Sequence, residues 1–210
     1  MSRTALLLLD IQVGILSHFP ATPTAADYLS LCAETLAAAR GTSASAAPIH
    51  VIHVRTCFRP GYPETSPLNL STSRVAARVA AGAGFTEAPE HAATVAFCAE
   101  AAPRGDEPVV TKRRTSALAG SDLDAVLRGL DVRRLVVAGV ATSGAVLSTV
   151  RAAADLDFGI TVLADLCLDP DEEVHRVLVE KVFPKQARTI AAREWIAEVE
   201  ARKGGAEEGK

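Results

Sequence analysis

Apolar and polar positions alternate along this chain in blocks. Short runs of Leu, Val and β-branched residues, bounded by polar ones, fall at Thr4–Leu9, Ile49–Arg55, Val109–Thr111, Leu135–Gly139 and Ile160–Ala164. Their nearly continuous apolar character predicts strands buried on both faces. Between them, helical spacing predicts helices over Ala25–Arg40, Ser121–Gly129, Ser143–Leu156, Asp171–Phe183 and Ala192–Arg202, with Ser121 and Asp171 as N-caps. Strands of this kind separated by helices predict an α/β fold: a single-domain, open, mostly parallel β-sheet with helices on both faces, Rossmann-like and doubly wound.

Two stretches interrupt the rhythm. Thr56–Ser73, rich in Pro, Ser and aromatic residues, is too long for a simple connection and reads as a loop over the carboxyl edge of the sheet. Ala80–Asp106, rich in Ala, Gly and Pro, gives no clear element. The end, KGGAEEGK over Lys203–Lys210, predicts a disordered tail, so the expected division is a domain over 1–202 and a tail over 203–210. No repeat or linker splits the chain.

Composition narrows the classes. With 210 residues, 49% apolar and 22% charged, the chain suits one well-buried soluble domain. A net charge of -3 and scattered basic residues argue against nucleic acid as a partner. Ala5–Leu9 is too short for a signal peptide and no apolar run is long enough to span a bilayer, so no membrane partner and a cytoplasmic location are expected. Cys32, Cys57, Cys98 and Cys167 lie far apart without a C-x-x-C pair, which fits reduced, buried thiols.

Ligands of open α/β sheets bind outside the carboxyl ends of the strands, so residues just after each strand come first. Asp10 and Gln12 follow the first strand, Arg55 and Arg59 the second, and Lys112 the third. The fourth leads through LVVAGVATSGAVLSTV, residues 135–150, from strand through a tight turn into a helix. Such a turn aims backbone N–H groups and a helix N-terminus at one spot, where a developing oxyanion can be held. A carboxylate, an ammonium and this turn together make a proton carrier, a charge stabiliser and an oxyanion site. Each also has a structural account: Asp10 as a loop cap, Lys112 with Arg113 and Arg114 as a solvated rim, Arg59 as a partner of Glu64 rather than a clamp for a substrate carboxylate. Phe19, Phe58 and Tyr62 sit in loops able to line a pocket or pack in the core.

LLLLDIQ, VIHVR with FRPGYPE, VVTKRRTSALAGSDLD, LVVAGVATSGAVLSTV and ADLCLDPDEEVH, in this order, resemble the isochorismatase-like hydrolase (cysteine hydrolase) superfamily from about Thr4 to Trp195. The resemblance implies catalytic roles for Asp10 and Lys112. It implies a non-proline cis peptide between Val140 and Ala141, an oxyanion turn at Val140, Ala141 and Thr142, and a nucleophilic cysteine at the position of Ala145. It implies a homo-oligomer, dimer or tetramer, and a small-molecule substrate, with Gln12, Phe19, Arg59 and Tyr62 as candidate substrate-binding residues.

Alanine at 145 changes the chemistry, because a methyl group cannot attack. Isochorismatases proper cleave a vinyl ether without needing the cysteine, so hydrolysis of a small carboxylated molecule started by Asp10 is the leading expectation. The alternatives are a non-catalytic small-molecule binding member, and a cysteine amidohydrolase whose nucleophile has been replaced by Ala145. A third arrangement, Ser143 with Asp165 and His175 in α/β-hydrolase order, competes with Ser143 as a helix N-cap. His18, His50, His53, His91 and His175 form no ligand spacing and the D-x-H pattern of metal-binding nicotinamidases is missing, so no metal is expected. No nucleotide-binding glycine motif is present, and no cofactor is expected.

Overall fold

In a computed structural model of the chain, residues 3–19, 23–43, 47–73 and 84–207 are described, with the backbone alone at 23–25 and 203–207. The strands are β1 (Arg3–Leu9), β2 (Ile49–Thr56), β3 (Val109–Lys112), β4 (Val132–Val140), β5 (Gly159–Leu168) and β6 (Arg188–Ile190). They form one six-stranded sheet in the order β3-β2-β1-β4-β5-β6. Every pairing is parallel. This is the doubly wound order, and its direction of winding reverses between β1 and β4.

Each strand buries both faces. On one side Ala5, Leu7 and Leu9 of β1 join Ile52, Val54, Leu135, Val137 and Val162. That face is covered by α4 (Leu123–Gly129) and α5 (Leu147–Asp155), whose Leu123, Leu127, Val150 and Ala153 are fully buried. On the other side Leu6, Leu8, Val51, Val136, Ala138 and Leu163 pack with Tyr28, Cys32 and Leu36 of α2 (Pro23–Arg40) and Trp195 and Val199 of α7 (Ala192–Glu207). The loop segments add α1 (Val13–Leu16), α3 (Ala92–Val95) and α6 (Glu172–Val177). Among the described residues no helix is long and apolar enough to cross a membrane.

Several boundaries differ from the sequence expectation. β6 was not anticipated, since three residues including an arginine carry little strand signal. The helix expected over Ser143–Leu156 begins with a wide π turn at Thr142–Val146 before α5. The helix expected over Asp171–Phe183 is α only to Val177, then π to Val182 and 3-10 over Phe183–Lys185, where Pro184 lacks an N–H to continue it. Asp171 caps α6 as expected, accepting from the N–H groups of Glu173 and Val174. Asp122 rather than Ser121 occupies the N-cap position of α4; the Ser121 hydroxyl donates back to the Ala117 carbonyl and accepts from Leu123 N–H at 3.2 Å. Helix α7 reaches Glu207, into the stretch expected as a tail, and residues 208–210 lie outside the described residues.

The long loop after β2 is tied down by the basic residues that follow β3. Arg113 pairs with Glu64 at 2.9 Å, and Arg114 donates to the Glu64 carbonyl at 3.0 Å. Phe58 exchanges backbone bonds with Phe85 and Glu87, and Cys57, Phe58, Phe85 and Val95 make a small core of their own. The segment from 84 to 106 is thereby fastened beside β2, through short turns that have no sequence periodicity to announce them.

Candidate active site

At the reversal point Leu9 lies directly beside Gly139. A Cβ on Gly139 would sit 2.1 Å from the Leu9 carbonyl oxygen, and its φ of +130° suits glycine alone, so the two strands close here only because residue 139 has no side chain. The next residue of β1's path, Asp10, takes φ 56°. Aspartate tolerates this left-handed conformation better than most residues. The turn breaks the strand's alternation, and Asp10 N–H donates to the Val54 carbonyl at 2.9 Å, fixing the carboxylate against β2.

Lys112, the last residue of β3, meets it. Its Nζ lies 2.7 Å from Asp10 Oδ2. It also donates to Thr56 Oγ1 at 2.8 Å and to the Arg114 carbonyl at 3.3 Å, while Thr56 Oγ1 donates to Asp10 Oδ1 at 3.0 Å. Asp10 and Lys112 are each 4% exposed. Burying an ion pair is tolerable only when its remaining donors are satisfied, and here all the ammonium protons have acceptors. Thr56 completes the ring between acid and base. Sequence reasoning missed it, because a threonine ending a strand is common; its place at the carboxyl edge beside Arg55 was the only signal.

The peptide between Val140 and Ala141 is cis. Beyond it the chain doubles back: Gly144 and Val146 N–H groups both donate to the Ala141 carbonyl, at 3.1 and 3.2 Å. Ser143 N–H is taken by Asp169 Oδ2 at 2.7 Å. Thr142 is fully buried, with its hydroxyl 2.9 Å from His175 Nδ1. Burial lowers the His175 imidazole below its ordinary range, and the Asp169 carboxylate opposes this. Ala145 is 4% exposed and packs in the same core as Val146 and Cys167.

All four cysteines are buried. Burial pushes the Cys32 and Cys167 thiols up to about 12 and raises those of Cys57 and Cys98 as well. The attacking species would be the thiolate, which such surroundings disfavour. Cys57 is fully buried, with its sulfur 3.9 Å from the Phe58 carbonyl.

The other sequence candidates scatter. Gln12 is fully buried with its amide consumed by backbone: Nε2 donates to the Thr56 and Val95 carbonyls at 3.1 and 2.8 Å, and Oε1 accepts from Thr56 N–H at 2.8 Å. It positions the end of β2. Arg59 pairs with Glu64 at 2.6 Å on the surface. Tyr62 Oη accepts from Phe85 N–H at 2.8 Å, and Phe19 packs on the core beneath α2 and α7. Ser143, Asp165 and His175 do not form a charge-relay arrangement, since His175 bonds Thr142 and Asp165 accepts from Ala192 N–H at 2.7 Å. Among the described residues no group of His, Cys, Asp and Glu gathers that could hold a metal ion.

A buried carboxylate after β1 and an ammonium at the end of β3, with the end of β2 between them, lie at the carboxyl edge beside the reversal point of the parallel sheet, the edge at which open α/β folds bind their ligands. The isochorismatase domain model matches residues 4–194, and the chain belongs to the isochorismatase family. Over 85 residues it is 31% identical to the isochorismatase family protein YecD of Escherichia coli O157:H7, covering 40% of this chain and 45% of that protein. The chain spans about half the length of the curated relatives it matches. In three dimensions it resembles an isochorismatase family protein from Burkholderia thailandensis, with a TM-score of 0.76, 25% identity and coverage of 94% of this chain and 95% of that one. A cysteine hydrolase from Pseudomonas syringae pv. phaseolicola 1448A shares the fold with a TM-score of 0.80 at 22% identity, over 95% of this chain and 93% of that one.

Proposed function

We propose that the protein is a hydrolase acting on a small carboxylated molecule without a covalent enzyme intermediate, cleaving a vinyl ether with Asp10 and Lys112 as its proton carriers. The observation that carries this reading is the 2.7 Å Asp10–Lys112 contact, closed by Thr56, at an edge where residue 145 is a methyl group. An acid–base pair survives there without a nucleophile. That combination suits addition of water to an activated substrate better than acyl transfer.

The steps follow from the pair. Lys112 passes a proton to Asp10 along their contact, and Asp10 delivers it to the methylene carbon of the vinyl ether. The adjacent carbon becomes oxocarbenium-like and adds water, which gives up a proton to the Lys112 amine. The resulting hemiketal collapses to a keto acid and an alcohol, leaving the ion pair as it began. Val140, Ala141 and Thr142 shape the wall beside this chemistry, and the cysteine position of the family is occupied by Ala145.

The test is pyruvate release from isochorismate. Wild type is expected to turn it over, with Asp10→Asn and Lys112→Ala each slower by about 10²-fold or more. An unchanged rate in both variants overturns the assignment. The methyl at residue 145 also supports a second reading, a non-catalytic binding member or an amidohydrolase deprived of its thiol. Amidase activity appearing in Ala145→Cys, with no vinyl ether turnover by wild type, would establish the latter.

A further inference from the structure

Three arginines among the described residues are drawn partly out of solvent: Arg40, Arg55 and Arg113. Two of them are matched by carboxylates. Arg40 holds Glu107 at 2.7 Å, and Arg113 holds Glu64 at 2.9 Å and Glu87 at 2.8 Å. Arg55 donates from Nε to Thr111 Oγ1 at 3.1 Å and has no carboxylate partner among the described residues. A guanidinium withdrawn from water without an anion is costly, and its planar fork suits a carboxylate.

Arg55 opens onto a cavity of about 290 Å³ whose other walls include Cys57, Thr86, Glu87, Val95 and Phe97. The walls are built. Phe58 bridges Thr86 and Gln12 bridges Phe97 as isolated β-pairs, the Gln12 amide holds the Val95 carbonyl at 2.8 Å, and the Phe97 ring packs edge-on against His53 at 5.5 Å. The acidic wall residue Glu87 is already paired with Arg113, which leaves Arg55 as the cation facing the space. Walls that combine apolar side chains with a few convergent polar groups are the usual make-up of a small-ligand site.

We propose that this cavity is the binding subsite for the carboxylate end of a small molecule, recognised by the Arg55 guanidinium. Arg55 is followed directly by Thr56, whose hydroxyl holds both Asp10 and Lys112. Anchor and acid–base ring are thus held by consecutive residues at one strand end. The inference rests on the reading that the protein acts on a small carboxylated molecule, and it replaces Arg59 by Arg55 as the group that takes the carboxylate. Binding tests it without turnover.

Calorimetric titration with benzoate and with the neutral isostere benzamide separates charge from shape. Wild type is expected to bind benzoate saturably and benzamide at least about 10-fold more weakly. Arg55→Gln is expected to lose about 10-fold or more in benzoate affinity, Arg55→Lys less, and Ala88→Leu, which narrows the cavity with the cation intact, comparably to Arg55→Gln. Should Arg55→Gln not fold, Arg55→Lys and Ala88→Leu carry the comparison. Absence of saturable benzoate binding to wild type overturns the proposal, as does equal affinity in wild type and the folded Arg55 and Ala88 variants. Glu107→Gln, outside both the cavity lining and the acid–base ring, is expected to keep benzoate affinity. Carboxylate binding without isochorismate turnover therefore fails the proposed reaction alone, and turnover indifferent to Arg55 fails the subsite alone.

Discussion

Two of the ionic clusters drawn from solvent among the described residues do different work. Asp10, Lys112 and Thr56 close a ring at the carboxyl ends of β1, β3 and β2. Arg40, Glu107 and His53 close another where β3 is about to begin. Arg40 grips Glu107 in a two-pronged pair at 2.7 and 2.8 Å, His53 Nε2 meets the same carboxylate at 2.9 Å, and Arg104 N–H donates to it at 2.9 Å. The second cluster joins the end of α2, the middle of β2 and the loop before β3, with every member in ordinary backbone geometry. The first requires Asp10 at φ 56° beside a glycine that no other residue can replace. Burial of charge alone does not mark a site; burial of charge at the reversal point of the sheet, held in a costly backbone conformation, does.

Neutralising one carboxylate of each cluster separates their roles most strongly. Asp10→Asn keeps the size of the side chain and its hydrogen bond with Thr56 but cannot carry the proton, so turnover should fall by about 10²-fold or more. Glu107→Gln should leave kcat/KM within about 2-fold, because nothing it touches reaches the acid–base pair. Steady-state kinetics on the two variants decide the matter: a comparable loss in Glu107→Gln would show the clusters to be coupled and the distinction false.

Stability should not separate them. Glu107→Ala leaves the half-buried Arg40 and the fully buried His53 without their shared acceptor, and unfolding in urea should show a loss of roughly 3 kcal/mol. Asp10→Asn can keep the bond from Thr56 but leaves the buried Lys112 ammonium without its anion, so its cost should also be roughly 3 kcal/mol. A much smaller loss in Asp10→Asn than in Glu107→Ala would mean that the Asp10 ring adds little to stability.

Some of this was legible in the sequence and some was not, for physical reasons. Apolar runs placed β1 to β5 within a few residues and set Asp10 and Lys112 at strand ends, since position after a buried strand is a local property. Residues whose roles depend on distant backbone were misread. Gln12 looked like a substrate contact, yet its amide is spent on Thr56 and Val95, 44 and 83 residues away. Thr56 had no signal beyond its place at the carboxyl edge, and Arg55 stood out only when the cavity and the lack of a carboxylate were visible together. Arg59, by contrast, found the partner that its spacing to Glu64 suggested.

The smallest effect is an acid limb of stability that belongs to one cluster. Burial would raise the Glu107 carboxyl, but hydrogen bonds from Arg40, the Arg104 backbone and His53, with the charge of Arg40, outweigh it and bring it from 4.5 down to about 2. Burial lowers His53 below 6.5 although Glu107 pulls the other way. Both groups therefore bind protons more readily in the unfolded chain than in the native one, and the unfolding free energy must fall as the solution is acidified. His53 begins to contribute to that fall below pH 6.5, and Glu107 takes over between 4.5 and about 2. In Glu107→Gln the lower window should flatten, because a neutral amide has no proton to gain, while Asp10→Asn should keep the wild-type slope there only if the Glu107 cluster sets it. Urea midpoints measured from pH 7 to pH 2.5 separate the two: a flattened limb in Asp10→Asn and an unchanged one in Glu107→Gln would assign the acid sensitivity to the ring beneath the turn instead.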